Sequence, residues 1–451
     1  MPGSRGGLVQ RHVIGISQEW AEKWWVASFT GTVSPMTPLH DVRAMVLARC
    51  AVATPVRVAR ADAANCIVAQ DVVATEQVPP FANTAVDGYA VRSVDVANVP
   101  VELRVIGELA AGAAPTIAVT AGTAIRIMTG APIPDGCDCV VMVEDTERVG
   151  SDGVNILKSV PAGAAIRAAG SDVAVGATVV TAGMRVTPMI EGVLASINAT
   201  HVVVYPRVKV GVISTGDELV DDGSPLGAGQ IRESNRTMLV RIVEEAGATA
   251  IDLGIIRDNE DELETALRSA VSTDGCDALV TSGGVSMGDY DIVKAVLSRI
   301  ADMNWVQVAM KPAKPFAFGT LKNPVGTQIP IFGLPGNPVS SLVSFELLAR
   351  PALRTMMGFG AAAHRPEVFA ISDDAVKRQP DGKVHFDRVH ASWGSDGRVH
   401  VTRKSEQSSH QLAATAVANA LMMVPDGNGL TAGDNVIVTF LGADAGPTAA
   451  Q

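Results

Sequence analysis

The chain has 451 residues, of which 47% are hydrophobic and 18% charged, and it carries a formal net charge of −11. A chain of this length is too long to fold around a single hydrophobic core, so several domains are expected. The composition is typical of a folded α/β protein, so long disordered segments are not expected. A nucleic-acid or membrane-surface binder would need a basic face, so the acidic balance argues against both, while it leaves room for a local basic pocket.

Residues 1–35 differ in character from the rest of the chain. They hold three of the five tryptophans but lack a basic segment followed by an apolar core, so they do not resemble a secretory signal. We interpret them as a disordered extension, or as a mis-called start ahead of Met36, with no part in catalysis. No segment of the chain approaches the roughly 20 apolar residues that a membrane helix needs.

The next stretch mixes helical and strand patterns. Residues 38–47 show helical spacing and strand-like residues follow, whereas residues 82–168 are short β segments broken by Gly and Pro. Residues 187–197 again have helical spacing. The five cysteines form no CxxC pair, so a disulfide framework is not expected. Cys137 and Cys139 could bind a metal, but their apolar neighbours favour core packing.

The clearest pattern lies between Arg207 and Gly358. Apolar strands at 208–213, 248–256, 278–281 and 329–332 alternate with helices, including 260–271 and 291–300. We expect Ser234 and Asn235 to cap the first of these helices, and Ser340 with Ser341 to cap the last. This alternation implies right-handed βαβ units and a parallel, doubly wound sheet. After Met357, short strands at 368–372, 384–391, 398–403 and 435–440 predict a separate β domain.

Two loops at strand ends carry acidic residues. Residues 214–219 place Asp217 and Glu218 after a buried strand, although a solvated turn would look the same. Residues 282–291 combine two adjacent glycines with Asp289 and Asp291 ahead of a helix. Glycines let backbone N–H groups approach an anion, and Mg²⁺ binds through one or two carboxylates plus substrate phosphates. Because ligands of such sheets bind at the carboxyl ends of the strands, we expect these loops to share a site.

Two further loops carry basic and rigid residues. Lys311 and Lys314 lie on a proline-stiffened segment, which lowers the entropy lost on binding an anion. Residues 333–340 form a Pro/Gly loop that suits an oxyanion, although a plain turn is an equal interpretation. With Asp258 as a further acid, the four loops predict a phosphate-binding, Mg²⁺-assisted α/β enzyme. The common nucleotide-binding, zincin and α/β-hydrolase motifs are absent.

These four loops, in this order, resemble those of the molybdopterin molybdenumtransferase family, which includes bacterial MoeA and the E domain of gephyrin. The resemblance extends to the segments AVDGYAVR at 85–92, IRIMTGAP at 125–132 and AAGSDV at 168–173. It also includes QSSH at 407–410 and ANAL at 418–421. It therefore covers the chain from about Met36 to Leu441.

The resemblance implies a cytoplasmic homodimer of four-domain subunits that inserts molybdate into adenylylated molybdopterin and releases AMP with Mg²⁺. Its domains would be an elongated linker domain (36–81 and 169–207), a β-rich domain (82–168), a molybdopterin-binding α/β domain (208–357) and a C-terminal barrel-like β domain (358–451). The site would lie between the α/β domain of one subunit and the β-rich domain of the other. Molybdopterin adenylyltransferase and molybdoenzyme acceptors are the implied partners.

The resemblance also assigns residues by motif. Asp87, Asp172, Glu218, Asp258 and Asp291 are expected to be catalytic. Of these, Glu218, Asp258 and Asp291 would arrange Mg²⁺, and Asp87 and Asp172 would close the site from the partner subunit. The residues expected to bind molybdopterin, phosphate or molybdate are Thr129, Ser282, Gly283, Gly284, Ser286, Lys311, Lys314, Pro335, Gly336, Asn337, Pro338 and Ser409.

Two departures and three alternatives accompany this assignment. Gln307 stands where the family often has a basic residue, and Ala313 replaces a glycine between the two lysines. A non-catalytic scaffold is the first alternative, against which the retained acids argue. The second is the adenylyltransferase, which is essentially the α/β domain alone. The third is a tungsten-specific enzyme or a paralogue serving a modified cofactor, since molybdate and tungstate are nearly the same size.

Overall fold

The computed structural model of the protein describes residues 36–285, 292–403, 407–442 and 446–448. The predicted extension at 1–35 lies outside the described residues, as do Ser286, Asp289 and Asp291. The chain divides into two compact units, Arg57–Val204 and the remainder, up to Val56 and from Tyr205 onward. Within the described ranges, no helix has both the length and the apolar character needed to cross a bilayer.

The first described helix, α1, spans Leu39–Leu47 and buries Leu39, Val42 and Val46, as the helical spacing predicted. The unit Arg57–Val204 contains one α-helix in its described residues, α2 at Pro188–Ser196, which Thr187 caps by accepting from the Ile190 N–H. The strands of this part of the chain are β1 Val56–Ala59, β2 Ile67–Val68, β3 Val72–Val73, β4 Asn83–Thr84, β5 Gly88–Val91, β6 Val101–Leu109, β7 Thr123–Ile127, β8 Cys139–Met142, β9 Thr146–Val149, β10 Gly153–Ile156, β11 Ile166–Arg167, β12 Thr178–Val180 and β13 His201–Tyr205.

This unit contains four sheets, of which two have more than two strands. Strands β8-β5-β7-β6-β10-β9 form a six-stranded sheet over a core that includes Tyr89, Leu103 and Val154. Strands β1-β13-β2 form a smaller sheet, whose residues pack with Leu194 of α2. The many short strands confirm the prediction of a β-rich region before the α/β domain.

The α/β domain follows β13. Its strands are β14 Lys209–Thr215, β15 Leu219–Val220, β16 Ile231–Arg232, β17 Thr249–Ile256, β18 Ala278–Ser282, β19 Asp302–Gln307, β20 Met310–Lys311, β21 Pro315–Lys322 and β22 Gln328–Leu334. Its helices are α3 Asn235–Glu245, α4 Glu260–Ser272, α5 Ile292–Ile300, α6 Pro338–Ser344 and α7 Arg350–Met356, with a π-helical stretch at Phe345–Ala349 between the last two.

The central sheet has the order β17-β14-β18-β22-β21-β19. The first four strands are parallel, as predicted, whereas β21 runs antiparallel to both β22 and β19. Strand β21, which was not predicted, is antiparallel because a short β21–β22 turn reverses the chain without a helix. Leu239 of α3 packs in the core on one face of the sheet, and Leu263 of α4 and Val293 of α5 pack on the other, so the doubly wound fold is confirmed.

The C-terminal domain is a closed barrel, as expected. Strands run in the order β25-β26-β23-β29-β27, and β27 pairs again with β25. Strand β20 of the α/β domain adds to this barrel in parallel with β25, through the pairs Met310–Val384 and Lys311–His385. The elements are β23 Glu367–Ser372, β24 Val376–Lys377, β25 Val384–Trp393, β26 Val399–Thr402, α8 Leu412–Ala416, β27 Ala420–Val424, β28 Gly429–Leu430 and β29 Asn435–Phe440.

Two predicted helix caps are wrong. Ser234 precedes α3, but its side chain makes no capping hydrogen bond. The buried carboxylate of Glu233 accepts from the Arg236 N–H at 2.6 Å instead, and also from the hydroxyl of Ser214 at 3.0 Å. Ser340 and Ser341 lie inside α6, because the helix begins at Pro338, whose fixed φ suits the first helical position.

A buried ion cluster joins the end of α3, the π-helical stretch and the chain after α7. The Arg365 side chain is 7% exposed and donates to Glu346 at 2.6 Å and to Glu245 at 2.5 Å. A third bond reaches the carbonyl of Gly442 at 2.8 Å. Burial by itself lowers the pKa of Arg365, but the two carboxylates outweigh it and raise the pKa above its usual value. The guanidinium therefore stays charged in the interior.

Candidate active site

Four loops, which follow strands β17, β14, β18 and β22 and include the one that carries Asp258, meet at one edge of the central sheet. Strands β17, β14, β18 and β22 are parallel, so the loops that follow them lie at the same edge. The Gly216 N–H donates to Ile256 O at 3.2 Å, and the Gly283 N–H donates to Leu334 O at 3.0 Å. The structure thus brings together, in neighbouring pairs, loops that are far apart in the chain.

Three exposed carboxylates lie on two of these loops: Asp217, Glu218 and Asp258. The Asp258 N–H donates to Asp217 Oδ1 at 3.2 Å, which ties the two loops together. Gly216 has φ +146°, and a Cβ there would clash with the Glu218 carboxylate, so the glycine makes room for this acid. In the described ranges no group of three or more His, Cys, Asp or Glu side chains is arranged to hold a metal ion. Asp291, the third predicted ligand, lies outside these ranges.

The two glycine-containing loops are held together by Asn235. Gly283 and Gly284 have φ values of +94° and +74°, which favour glycine. A Cβ on Gly336 would lie 3.7 Å from Gly283 Cα, so the two loops are neighbours. The Asn235 amide donates to Ser282 Oγ at 2.9 Å and to Gly336 O at 2.7 Å. Asn235 was expected only to cap a helix, and this contact was not predicted, because nothing in its local pattern shows which loops it reaches.

A cavity of about 780 Å³ lies between the segment that carries the two lysines and the C-terminal barrel. Lys311 and Lys314 are exposed, and no described residue forms an ion pair with either. Ala313, between them, has φ +74° and is buried. This conformation explains why a glycine suits the position. The residues lining the cavity are Met310, Lys311, Pro312, Ala313, Lys314, Pro315, Asn337, Ser340, Lys383, Arg403, Gln407, Ser408, Ser409 and His410.

Ser409 connects the barrel to the start of α6. Asn337 Nδ2 donates to Ser409 Oγ at 3.0 Å, and the Val339 N–H donates to Ser409 O at 3.2 Å. Pro335 is buried and Pro338 is the first residue of α6, so both fix the backbone around Gly336 and Asn337. Asn337 and Ser409, predicted from separate motifs, therefore lie in contact.

Among the residues that line the cavity without having been predicted as site residues are Lys383, Arg403, Gln407 and His410. Gln407 and His410 belong to the QSSH segment, so that motif was their available signal. Lys383 and Arg403 flank barrel strands and carry no motif. Gln307, in contrast, ends β19, where its carbonyl accepts from the Thr37 N–H at 2.7 Å, and it is not among the residues that line the cavity.

Three predicted residues belong to the unit Arg57–Val204. The Thr129 N–H and hydroxyl both donate to Asp87 Oδ1 at 2.7 Å. These bonds, the backbone one first, hold the pKa of the Asp87 carboxyl below its usual range. Asp172 is exposed, and its backbone N–H donates to Val78 O at 2.9 Å. Asp87 and Thr129 are thus direct partners, a contact that the sequence did not predict.

Family models match most of the chain. The model of the MoeA N-terminal region (domain I and II) matches residues 37–198. A model described as "Probable molybdopterin binding domain" matches residues 211–355, and that of the MoeA C-terminal region (domain IV) matches residues 375–441. The second match contains the four loops of the sheet edge, and the third contains the barrel residues of the cavity.

Similar proteins agree with these matches. A molybdopterin molybdenumtransferase of Haemophilus influenzae is 38% identical over 379 residues, which cover 84% of this chain and 91% of that protein. Molybdopterin molybdenumtransferase 2 of Mycobacterium tuberculosis is 39% identical over 383 residues, covering 82% and 91%. The crystal structure of a MoeA protein from Pyrococcus horikoshii superposes with a TM-score of 0.71 at 28% identity, covering 90% of this chain and all of that one. The chain therefore belongs to the molybdopterin molybdenumtransferase family and is a transferase of molybdenum cofactor biosynthesis.

Proposed function

We propose that this transferase inserts molybdate into adenylylated molybdopterin and releases AMP in a Mg²⁺-dependent reaction. The observation that carries the proposal is the basic cavity in a chain of net charge −11. Lys311 and Lys314 form no ion pair with the described residues, so their charge is available to molybdate and to substrate phosphate groups. Because charge-assisted bonds to oxyanions are roughly twice as strong as neutral ones, such a pair favours dianions.

The glycine loops supply the neighbouring surface. Gly283, Gly284 and Gly336 lack side chains, so a pyrophosphate group could approach their backbone closely. Asn235 holds these loops in one arrangement, and Ser409 with Asn337 joins them to the cavity. We infer that the phosphoanhydride of the substrate lies along this edge and that molybdate lies beside the lysines. Holding both reactants in place lowers the entropic part of the barrier.

Glu218 and Asp258 fit a Mg²⁺ ion. Both carboxylates are exposed at neighbouring strand ends, and Mg²⁺ needs only one or two carboxylates when phosphates and waters complete its shell. When bound, Mg²⁺ would neutralise charge on the phosphoanhydride and on the departing AMP. Asp291 completes the proposed set. Lys311 and Lys314 would keep molybdate oriented while the anhydride is cleaved.

We also propose that the enzyme is a homodimer in which Asp87 and Asp172 of one subunit close the site of the other. The family resemblance supports this arrangement. The Asp87 carboxylate is ionised at neutral pH, as aspartates ordinarily are, and its hydrogen bonds from Thr129 involve only Oδ1, so Oδ2 can accept a hydrogen bond from a pterin substrate. All five cysteines are free thiols, which is compatible with a reducing compartment such as the cytoplasm. Molybdopterin adenylyltransferase would supply the substrate and molybdoenzymes would accept the product.

The test is AMP release from adenylylated molybdopterin with Mg²⁺, measured without added oxyanion, with molybdate and with tungstate. Molybdate-stimulated release is the expected result. Tight binding of the substrate without turnover would overturn the proposal and favour a scaffold. Stimulation by tungstate alone would instead assign the site to a tungsten enzyme.

Glu218→Gln is expected to lower AMP release by about 100-fold, because it removes a proposed Mg²⁺ ligand without changing the size of the side chain. The measurement is initial rate against Mg²⁺ concentration, and the variant should need more Mg²⁺ for half-maximal rate. Glu244→Gln, at an exposed position on α3 of the same domain, is the matched control. An unchanged rate in the Glu218 variant would remove this carboxylate from the mechanism.

Asn235→Asp is expected to reduce kcat by about tenfold or more, with a smaller change in KM. An Asp carboxylate has the same shape as the amide but cannot donate to Gly336 O, whereas the Ser282 hydroxyl can turn to donate to it, so the link between the two glycine loops is lost at Gly336. Circular dichroism and thermal unfolding control for loss of fold. If Asn235→Ala and Asn235→Asp both retain full kcat, this residue does not position the loops.

A further inference from the structure

We propose that Arg403 is a specificity-determining residue that recognises a tetrahedral oxyanion in the cavity, and that Asp387 is its positioning residue. The inference rests on the proposed function, since it takes the cavity as the anion site. Arg403 lines the 780 Å³ cavity and also an adjoining cavity of about 300 Å³. The two cavities share Lys311, Pro312, Arg403 and Gln407 among their lining residues, so Arg403 lies where they meet.

Arg403 contacts two carboxylates of the barrel domain. It directly follows strand β26, and its backbone N–H donates to Asp374 Oδ2 at 2.6 Å. Its Nε lies 3.1 Å from Asp387 Oδ2, and the Asp387 side chain, on barrel strand β25, is only 8% exposed. The carboxylate is an ion-pair partner at Nε without a hydrogen bond to it, so its charge attracts the guanidinium and favours orientations that keep Nε beside Asp387. Within the described ranges, no residue accepts a hydrogen bond from either Nη atom.

The Arg403 side chain is 29% exposed, which leaves its terminal nitrogens accessible from the cavity. A guanidinium fork matches two oxygens of a tetrahedral anion, whereas a lysine ammonium acts as a point charge. Lys383, the other basic barrel residue in the cavity wall, is 3.0 Å from Asp381 and is partly neutralised by it. Arg403 therefore lines the same cavity as Lys311 and Lys314 and supplies cationic donors from the barrel side.

The alternative is that the Arg403–Asp387 pair only stabilises the barrel. A purely structural pair would affect unfolding and leave anion affinity unchanged. If the guanidinium binds the oxyanion, each substitution should instead weaken anion binding, and more so the more hydrogen bonds to the anion it removes. Two sources of the anion share this chemistry, free molybdate and a phosphate group of the substrate, and titration with each anion separates them.

The experiment is isothermal titration of the full-length protein with molybdate, tungstate and inorganic phosphate. Arg403→Gln should weaken molybdate binding by about 10- to 100-fold, as expected for the loss of charged hydrogen bonds. Arg403→Lys should bind molybdate more tightly than Arg403→Gln does. The molybdate affinity of Asp387→Asn should lie between that of Arg403→Lys and that of the wild type. Arg398→Gln, on the exposed barrel surface, is the matched control. A larger loss for phosphate than for molybdate would identify the substrate phosphate as the bound group.

Unchanged affinity for all three anions in Arg403→Gln would overturn the inference. If that variant unfolds at a markedly lower temperature, Arg403→Lys, which keeps the charge, decides the question: unchanged anion affinity there contradicts recognition by the fork. Failure of the proposed function looks different. Wild-type protein that binds molybdate but releases no AMP would contradict the reaction, while an altered molybdate affinity in Arg403→Gln would still support the role of Arg403.

Discussion

The double variant Lys311→Ala/Lys314→Ala is expected to lower molybdate-stimulated AMP release by at least about 100-fold. Each lysine would supply a charged hydrogen bond to an anion, worth roughly 1.5–3 kcal/mol, and the two face the same cavity. The loss should appear mainly as a higher KM for molybdate if the lysines bind the ground state. It should appear as a lower kcat if their contacts strengthen in the transition state.

The measurement is AMP release over a range of molybdate concentrations, for both single variants and the double variant. Lys322→Ala is the matched control, because Lys322 is an exposed lysine at the opposite edge of the same sheet, paired with the start of β22. Near-normal rates in the double variant, at molybdate concentrations below the wild-type KM, would contradict the assignment of this cavity to the oxyanion.

Arg365→Met is expected to destabilise the larger unit by about 3–5 kcal/mol, since removal of this guanidinium leaves the buried Glu346 carboxylate with only the more distant Arg350, at 3.8 Å, as a cationic partner among the described residues. Glu346 and Glu245 would both lose the guanidinium, and the carbonyl of Gly442 would lose its donor. Methionine roughly preserves the apolar stem of arginine, so the loss of charge dominates over the loss of volume.

Urea unfolding followed by far-UV circular dichroism measures this loss. Arg241→Met is the control, because Arg241 forms an exposed pair with Glu244 on α3, and such pairs contribute about 0–1 kcal/mol. A change below about 1 kcal/mol for Arg365→Met would show that Arg350, water or protonation compensates the charge of Glu346. Rescue by Glu346→Gln in the Arg365→Met background would confirm that uncompensated charge is the cause.

Hydrophobic patterns predicted much of the fold. The apolar runs at 208–213 and 278–281 largely coincide with β14 and β18, and the spacing of Leu39, Val42 and Val46 lies within α1. Strand β21 was not predicted, and a strand pattern there would not show whether it runs parallel or antiparallel to β22. The predicted capping residues of α3 and α6 were wrong because other residues define the starts of these helices. Glu233 and Pro338 decide those helix starts, and the role of Glu233 depends on its contact with Ser214, 19 residues earlier.

Only part of the candidate site was predictable from sequence. Loops that follow parallel strands must share an edge, so the meeting of Gly283 with Leu334 and of Asp217 with Asp258 followed from topology. The contacts of Asn235 and Arg403 did not follow from topology. Each joins elements that are distant in the chain, and no local sequence pattern shows which elements a side chain will contact. The motif that includes Ser409 predicted the residue but not its partner, Asn337.

The pairing of β20 with β25 has a consequence for how this gene can change. Since Lys311 is hydrogen-bonded into a barrel whose other residues form the opposite wall, the pocket belongs to neither domain alone. A duplicated copy of the gene could alter its anion preference through substitutions in the barrel, leaving all four loops of the sheet edge intact. Substitutions that change the anion preference between copies should then be sought in the C-terminal domain, although that domain carries none of the four loops.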